Sequence, residues 1–452
     1  MTGAAILLAF VLLMLVQVPI VLALIAIAFA YFYVSGFPLT IVPYTMYKTL
    51  NTFTIVAIPM FIFMGELLSR FGFAADIIRI TRRMFREKFG YSLRLNVILS
   101  LIFSGMSGSA IADIGATGRM LINASDREGI RKPFAAGLTM ASATIGPIFP
   151  PSIPLLVYAI AANTSSVRML IAGVVPAIAI AAILYIFVSI YIAMLRRRHT
   201  NATPTPQALK TDTHTSGSSG TEPAIGEIGG AAQTPFWRDL ALSLPTLSII
   251  PAITGGMIFG LLSPSEVGAA AVVYILVLAF AYGRFTLGKM WLAFRAAIVS
   301  SSAVVILLAA GSLYSTIMVN EGISQLAASA FDNIGDNPLV FFLIINLLLI
   351  IVGMFIDGLT IIILLTPVLM PIALSLGIQP EQLGIVMVFN TMIGMMTPPF
   401  GLSIFAVASV SGLKLGEILR SILPFYAVML VCLFALSAVP AISQWLPGTV
   451  FQ

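Results

Sequence analysis

The sequence predicts an all-α, polytopic membrane protein made of two inverted repeats, each with a re-entrant helical hairpin and a proline-broken helix. Three observations carry that prediction. Only 9% of the 452 residues are charged and 59% are hydrophobic, whereas a soluble domain carries about 25% charged residues; the mean hydropathy is +1.07. Apolar runs of about 20 residues, the length that crosses a bilayer, recur along the whole chain. Two of those runs are interrupted by adjacent prolines, in "SATIGPIFPPSIPLLVY" (142–158) and in "NTMIGMMTPPFGLSIF" (390–405).

The elements follow in order. The run over 3–34 is too long for a signal peptide and no small-residue cleavage site follows it, so it reads as a retained span. A second span covers 52–71. The stretch "DIIRITRRMFREKFG" (76–90) interleaves apolar and basic residues, as an interfacial cytoplasmic helix does. A hairpin over about 92–126, a broken helix over about 134–161 and a span over 168–195 complete the first half, residues 1–198. Residues 199–236 are rich in Thr, Ser, Gly, Pro and Ala without an apolar period, which predicts a flexible cytoplasmic linker. The second half, 237–452, holds spans at 237–262, 267–283 and 296–318, a hairpin at about 340–374, a broken helix at about 384–411 and a last span at 419–446.

The halves match in one ungapped register. Gly105-Met106 stands over Gly353-Met354, Gly129-Ile130 over Gly377-Ile378, Gly146 over Gly394, and Pro150-Pro151 over Pro398-Pro399. With the N-terminus cytoplasmic, every Lys and Arg except Lys48 and Arg168 falls at or near the cytoplasmic side, as the positive-inside rule expects. A single crossing at 92–126 would instead move Arg127, Arg131 and Arg196–Arg198 outside. The same arrangement opens the two hairpins to opposite sides, so the repeats are inverted. Inverted repeats with broken helices characterise secondary transporters, whose sites lie near the membrane midplane.

The residue inventory excludes several chemistries. Cys432 is a lone thiol in an apolar run, and both histidines, His199 and His214, lie in the linker. Disulfides, thiolate metal sites and His catalysis are therefore ruled out of the membrane part. An aspartyl protease needs Gly-x-Gly-Asp, which "MFID" lacks, so no catalytic residue and no enzyme are expected. The net charge of +6 follows the positive-inside rule, not nucleic-acid binding.

The breaks themselves point to ions. Proline removes a backbone donor and clashes one turn back, and each unpaired carbonyl in hydrocarbon costs several kcal/mol. A bound cation satisfies such carbonyls. Hydroxyls stand close by: Ser142, Thr144 and Ser152 in one copy, Thr391, Thr397 and Ser403 in the other. The half-helix N-termini beyond the breaks suit an anion. The partner segments 102–120 and 351–370 carry small residues fit for tight tips: Ser104, Gly105, Ser107, Gly108 and Ser109 in the first, Gly353 and Gly358 in the second. Asp113 and Asp357 are acids at membrane depth, each open to a role as cation ligand, proton carrier or helix cap. Asp357 stands over Ser109 in the repeat register, not over Asp113. Glu66, near a helix end, reads as reaching the interface.

The segments "FSGMSGSAIADIGATG", "SATIGPIFPPSIPLLVYAIAANTS", "SPSEVGAAAVVY" and "GMFIDGLTIIILLTPVLMPIALSLGIQPEQLGIVMVFNTMIGMMTPPFGLSIF" resemble the large permease subunit of TRAP (tripartite ATP-independent periplasmic) transporters, the DctM-like family. The likeness runs from about residue 3 to 446; the linker is longer than the family's usual loop. The resemblance implies an ion-transporter-superfamily fold working as an elevator, and sodium-coupled uptake of small organic acids (C4-dicarboxylates, sialic acid, keto acids) across the bacterial inner membrane. It implies no cofactor beyond sodium as coupling ion. The implied partners are a small four-helix membrane subunit, a periplasmic substrate-binding protein and membrane lipid. No small subunit is fused here, since the two halves account for every expected span.

Carried onto this chain, the resemblance places one sodium site at Ser107, Gly108 and Ser109 with Gly146, Pro147 and Pro150. The other lies at Gly353, Asp357 and Thr360 with Gly394, Thr397 and Pro398. The substrate lies between them, near Ser109, Asp113, Ser152, Asn390, Gly401 and Ser403. Asp113 stands where many relatives have small residues, which leaves open whether it bears on substrate choice. The alternative reading is a stand-alone sodium- or proton-coupled carboxylate carrier of the same superfamily.

Overall fold

A computed structural model describes residues 3–85, 89–107, 109–200, 243–323 and 337–451. Gly108 and most of the expected linker (201–236) lie outside the described residues, as does the side chain of Ser107. The described residues are helical with no strand, and six of their helices are long and apolar enough to cross a membrane.

The first expected span is two helices, α1 (Gly3–Leu15) and α2 (Ile20–Val34). Gln17 adopts φ +64° between them, and Pro19 brings no amide donor with which to continue α1. A helix that the sequence did not announce, α3 (Ile41–Leu50), precedes α4 (Ala57–Arg70). The amphipathic stretch forms α5 (Phe73–Phe85). Its Asp76 turns inward, 2% exposed, and ion-pairs with Arg284. Arg284 also reaches the Gly72 carbonyl at 3.4 Å and lies 5.2 Å from the Phe73 ring centroid. The start of α5 is thus fastened to the second half of the chain.

Next come α6 (Tyr91–Ser107), the one-turn α7 (Ala110–Asp113), a wide π-type turn (Ile114–Gly118) and α8 (Arg119–Arg127). α6 packs along α8. Their far ends are joined by Glu128, which accepts from the amides of Gly90 (2.6 Å) and Ser92 (3.0 Å) and so satisfies donors that a helix start leaves open. Then follow α9 (Lys132–Ala143), α10 (Ile153–Ala161), α11 (Ser166–Ala172) and α12 (Val174–Thr200). The span expected at 168–195 starts earlier and breaks at Gly173, because Pro176 brings no amide donor for the Ala172 carbonyl; the Ile148 carbonyl occupies the place a Cβ would take at Gly173.

In the second half, α13 (Ile249–Ile258) leads to α14 (Pro264–Ala281), whose start is a capping box of Ser263 and Glu266. α15 (Leu287–Asn320) is longer than the expected 296–318, because Thr286 caps it earlier through the Lys289 amide. α16 (Pro338–Gly353), α17 (Gly358–Ser375), α18 (Pro380–Met395), α19 (Leu402–Ser411) and α20 (Leu415–Ala438) follow. The last expected span ends at Val439-Pro440, after which α21 (Ala441–Val450) begins.

Packing sorts these helices into two groups. α4 lies against α14 and α15, and α15 also covers α2 and α3. In the other group α10 packs on α17, and α19 packs on the 114–118 turn. Each half-helix after a break therefore rests on the return arm that follows the other half's tip. A polar tie fastens each hairpin's first arm to its neighbouring broken helix. Asn96 on α6 donates to Thr139 (2.8 Å) and accepts from Ser142 (2.8 Å), both on α9. Asn390 on α18 donates to the side chain of Asn346 on α16 (2.8 Å) and to its carbonyl (3.1 Å).

Candidate functional site

Helix α9 ends at Ala143, and the chain stays irregular until Ser152. Pro147, Pro150 and Pro151 together remove three amide donors from this stretch. The restart is made by Ser152: its Oγ accepts from Leu155 N at 3.1 Å and donates to the Pro147 carbonyl. Helix α18 ends at Met395. There Thr397 N donates to Gly394 O (2.9 Å), and the Thr397 hydroxyl donates to Ile393 O (2.7 Å) beside the Tyr426 hydroxyl (3.2 Å). Both Pro-Pro peptide bonds are cis. Gly401 then opens α19 with no side-chain cap. A Cβ at Gly401 would stand 2.8 Å from the Thr397 carbonyl, so only glycine fits there.

The two tips are built differently. In the first, Ser109 caps α7, its Oγ accepting from Ala112 N at 3.4 Å. Asp113 closes that turn at 2% exposure, and its carbonyl receives the Thr117 hydroxyl at 3.0 Å. The π-type turn starts at the next residue; such turns widen a helix by one residue and recur at functional sites. In the second tip Asp357 caps α17. Its carboxylate accepts from Leu359 N (3.0 Å), Thr360 N (3.2 Å) and the Thr360 hydroxyl. Of the three roles open to Asp357, the cap is the one made in these contacts. Just before it, Gly353 crosses Gly394 so closely that a Cβ on Gly394 would lie 2.7 Å from the Gly353 Cα. The second tip thus touches the second break backbone to backbone.

One cavity of about 610 Å³ collects both tips and both breaks. Of the expected residues, Ser109, Asp113, Pro147 and Asp357 are on its wall. Gly146, Pro150, Gly353, Thr360, Gly394, Thr397 and Pro398 build the breaks and tips behind it and are not on the wall. Ser152, Asn390, Gly401 and Ser403, expected at the substrate, do not reach the wall either. Ser152 is engaged as a cap, Asn390 is engaged with Asn346, Gly401 serves the sharp restart and Ser403 is buried. The wall has a second side that sequence reasoning missed: Glu66 and Ser69 from α4 and Ser300 from α15. Glu66 lines the cavity, with Arg70 Nε 2.9 Å from its carboxylate. A lone acid inside the apolar stretch "FIFMGELL" was the available signal.

The wall is mostly apolar, with backbone, hydroxyl and carboxylate oxygens at the tips. Such oxygens are ligands for a hard cation. Among the described residues no cluster of three or more His, Cys, Asp or Glu has the arrangement to hold a metal ion.

A family described as "Tripartite ATP-independent periplasmic transporter, DctM component" matches residues 7–442. The chain belongs to that family. DctM proteins are permeases of membrane transporters, and this one is a multi-pass member. It is 32% identical over 400 residues to the sialic acid TRAP transporter large permease protein SiaM of Vibrio cholerae, covering 88% of this chain and 87% of that protein. It is 31% identical to the C4-dicarboxylate TRAP transporter large permease protein DctM of Pseudomonas aeruginosa, covering 89% and 88%. In fold it is similar to the crystal structure of the YdaH transporter of Alcanivorax borkumensis, with a TM-score of 0.61 at 14% identity over 89% of this chain and 88% of that one.

Proposed function

We propose that this DctM-family chain is the large permease subunit of a three-part transporter that takes up a small organic acid across the bacterial inner membrane, driven by sodium. The observation that carries the reading is the shared cavity, whose wall takes Ser109 and Asp113 from one tip, Asp357 from the other, and residues flanking both breaks. A site assembled from two half-sites lets a coupling ion and a substrate each organise the surface that the other needs. The substrate's acid group takes the start of α19, which has no side-chain cap and whose Leu402 is on the wall. Sodium sits where tip meets break, at Gly353 and Asp357 with Gly394 and Thr397, and at Ser107–Ser109 with Gly146–Pro150. The relatives named for sialic acid and C4-dicarboxylates support the substrate class.

The two packing groups support an elevator. The α2–α4, α14 and α15 group is the fixed scaffold, and the hairpins with the broken helices slide against it, carrying the cavity at their common boundary. Apolar side chains stay exposed on the scaffold, among them Val273, Val277, Phe280 and Trp291; lipid and the small four-helix subunit cover such surfaces. The N-terminus is cytoplasmic, and the two halves are inverted repeats. A periplasmic binding protein delivers the substrate.

The test is uptake of labelled organic acids into proteoliposomes under an imposed sodium gradient, with this chain alone and with the small subunit and binding protein added. Sodium-dependent uptake that needs all three parts supports the reading. Uptake by the chain alone would make it a self-sufficient carrier instead.

A further inference from the structure

We propose that the Asp76–Arg284 ion pair is the joint that keeps α5 on the scaffold while the cavity-bearing group slides. The proposal rests on the sliding reading above and places an element which that reading left unassigned. α5 connects α4, in the scaffold, to α6, the first arm of a sliding hairpin. Either its start stays behind or the whole helix travels. One face of α5 buries Phe73, Asp76, Ile77 and Ile80, spaced i, i+3, i+4 and i+7. A buried carboxylate calls for a cation, and Asp76 has two. Arg79 lies 3.5 Å away on α5 itself; it moves with Asp76 wherever α5 goes and so fastens nothing. Arg284 comes from the turn between α14 and α15, both of the scaffold.

The contacts of Arg284 are those of a fastener. Its guanidinium pairs with the Asp76 carboxylate, donates to the Gly72 carbonyl at 3.4 Å, and lies 5.2 Å from the Phe73 ring centroid and 5.7 Å from that of Tyr282. A planar guanidinium makes hydrogen bonds and ring contacts together, which an ammonium does less well. Ser243, from the segment before α13, donates to the Asp76 carbonyl at 3.3 Å. The α4–α5 corner and the first turn of α5 are thus held to elements from the second half of the chain. Past its other end, α5 leads to Gly90, whose amide donates to Glu128 just beyond α8, so Gly90 goes with the hairpin. Sliding is therefore taken up between the first turn of α5 and Gly90, not at the α4–α5 corner. Ala74, Ala75 and Ile78, beside the clasped residues, are on the cavity wall. The joint holds that part of the wall in place as the tips move past it.

The test uses the complete transporter in proteoliposomes under a sodium gradient, with this chain carrying Asp76→Cys and Arg284→Cys in a Cys432→Ala background. A bis-methanethiosulfonate then joins the two cysteines, putting a covalent link where the ion pair was. Maximal uptake of labelled sialic acid and succinate is read beside the concentration of each that gives half-maximal thermal stabilisation of the purified complex, and the ligand-free midpoints show which forms are folded. The expected result is a maximal rate at least fivefold below wild type in the unlinked form, with the half-maximal binding concentration within twofold. Linking restores at least half of the wild-type rate, while the single-cysteine variants treated alike stay low. If the link abolishes uptake, α5 travels with the hairpin and the proposal is overturned. A wild-type rate in the unlinked form, or a loss of binding that accounts for the loss of rate, overturns it too. Should the double-cysteine form not fold, Arg284→Gln, which leaves Arg79 beside Asp76, is read for the same split between rate and binding. All of these outcomes are compared with sodium-driven uptake by the wild-type transporter; if that is absent for every organic acid offered, the uptake reading falls and the joint with it.

Discussion

Gly394→Ala tests the contact between the second tip and the second break. The added Cβ would stand 2.7 Å from Gly353 Cα, 3.0 Å from its carbonyl carbon and 3.3 Å from its oxygen. Carbon atoms in ordinary contact sit about 3.5–4.0 Å apart, so the tip must retreat by about 1 Å. The obstacle is backbone, which has no rotamer to turn aside. Overpacking of this kind costs about 1–3 kcal/mol. At tenfold per 1.4 kcal/mol, any ligand that needs the closed tip binds about 5- to 150-fold more weakly. The assay is the sodium concentration for half-maximal uptake by the complete transporter, read beside the thermal midpoint of the purified complex. Gly353→Ala, with its Cβ 3.0 Å from Gly394 Cα, should behave alike, and the pair should be non-additive because both relieve the same contact. Gly288→Ala and Gly416→Ala are the controls: nothing lies within 4 Å of a Cβ at either, so both should stay within about 0.5 kcal/mol of wild type. Wild-type sodium dependence and midpoint in Gly394→Ala would refute the reasoning.

Three further outcomes follow from the same structure. Asp357→Asn keeps a good capping residue on α17 and should change stability by less than about 1 kcal/mol, while Asp357→Ala should cost about 0.5–2 kcal/mol; if the carboxylate also holds sodium, both raise the half-saturating sodium concentration, and an unchanged value leaves Asp357 as a cap alone. Asn390→Ala strands the buried amide partner Asn346 and should cost about 1–3 kcal/mol in thermal unfolding with substrate affinity unchanged, since Asn390 is not on the cavity wall; a selective loss of affinity would return it to the site. Arg284→Ala removes the closer of two cations paired with buried Asp76 and leaves Arg79 at 3.5 Å, so it should cost less than the about 3 kcal/mol of a fully stranded buried charge; the double variant with Asp76→Asn should recover most of it, as measured by unfolding midpoints.

Much of the architecture was readable because its signals are local. A Pro-Pro pair ends a helix wherever it falls, so both breaks could be located from residue type alone. The same rule applied at Pro19 and Pro440 would have split two runs that read as single spans. Pro176, four residues after Ala172, marks the break at Gly173 by the same rule; what no local signal announces is the Ile148 carbonyl, packed against that glycine from a separate segment. The candidate site divided along the same line. Ser109, Asp113 and Asp357 were marked by small residues or by charge in apolar sequence, and they are on the wall. Ser152 and Asn390 looked equally polar and equally close to the breaks, but Ser152 is engaged by Pro147 and Leu155, the Asn390 amide nitrogen is engaged by Asn346, and neither residue is on the wall.

The sequence by itself determined that the chain is helical and membrane-embedded, where its helices fail, and that the failures come in a matched pair. Hydropathy and the missing proline donor act within a few residues along the chain, and the matched pair shows when one half of the sequence is laid over the other. Only the tertiary structure decided that both tips and both breaks meet in one cavity, that Glu66, Ser69 and Ser300 form its other side, and that Gly353 meets Gly394 without space for a methyl group. These are contacts between helices far apart in sequence, set by which surfaces pack together, and no short stretch of residues carries that information.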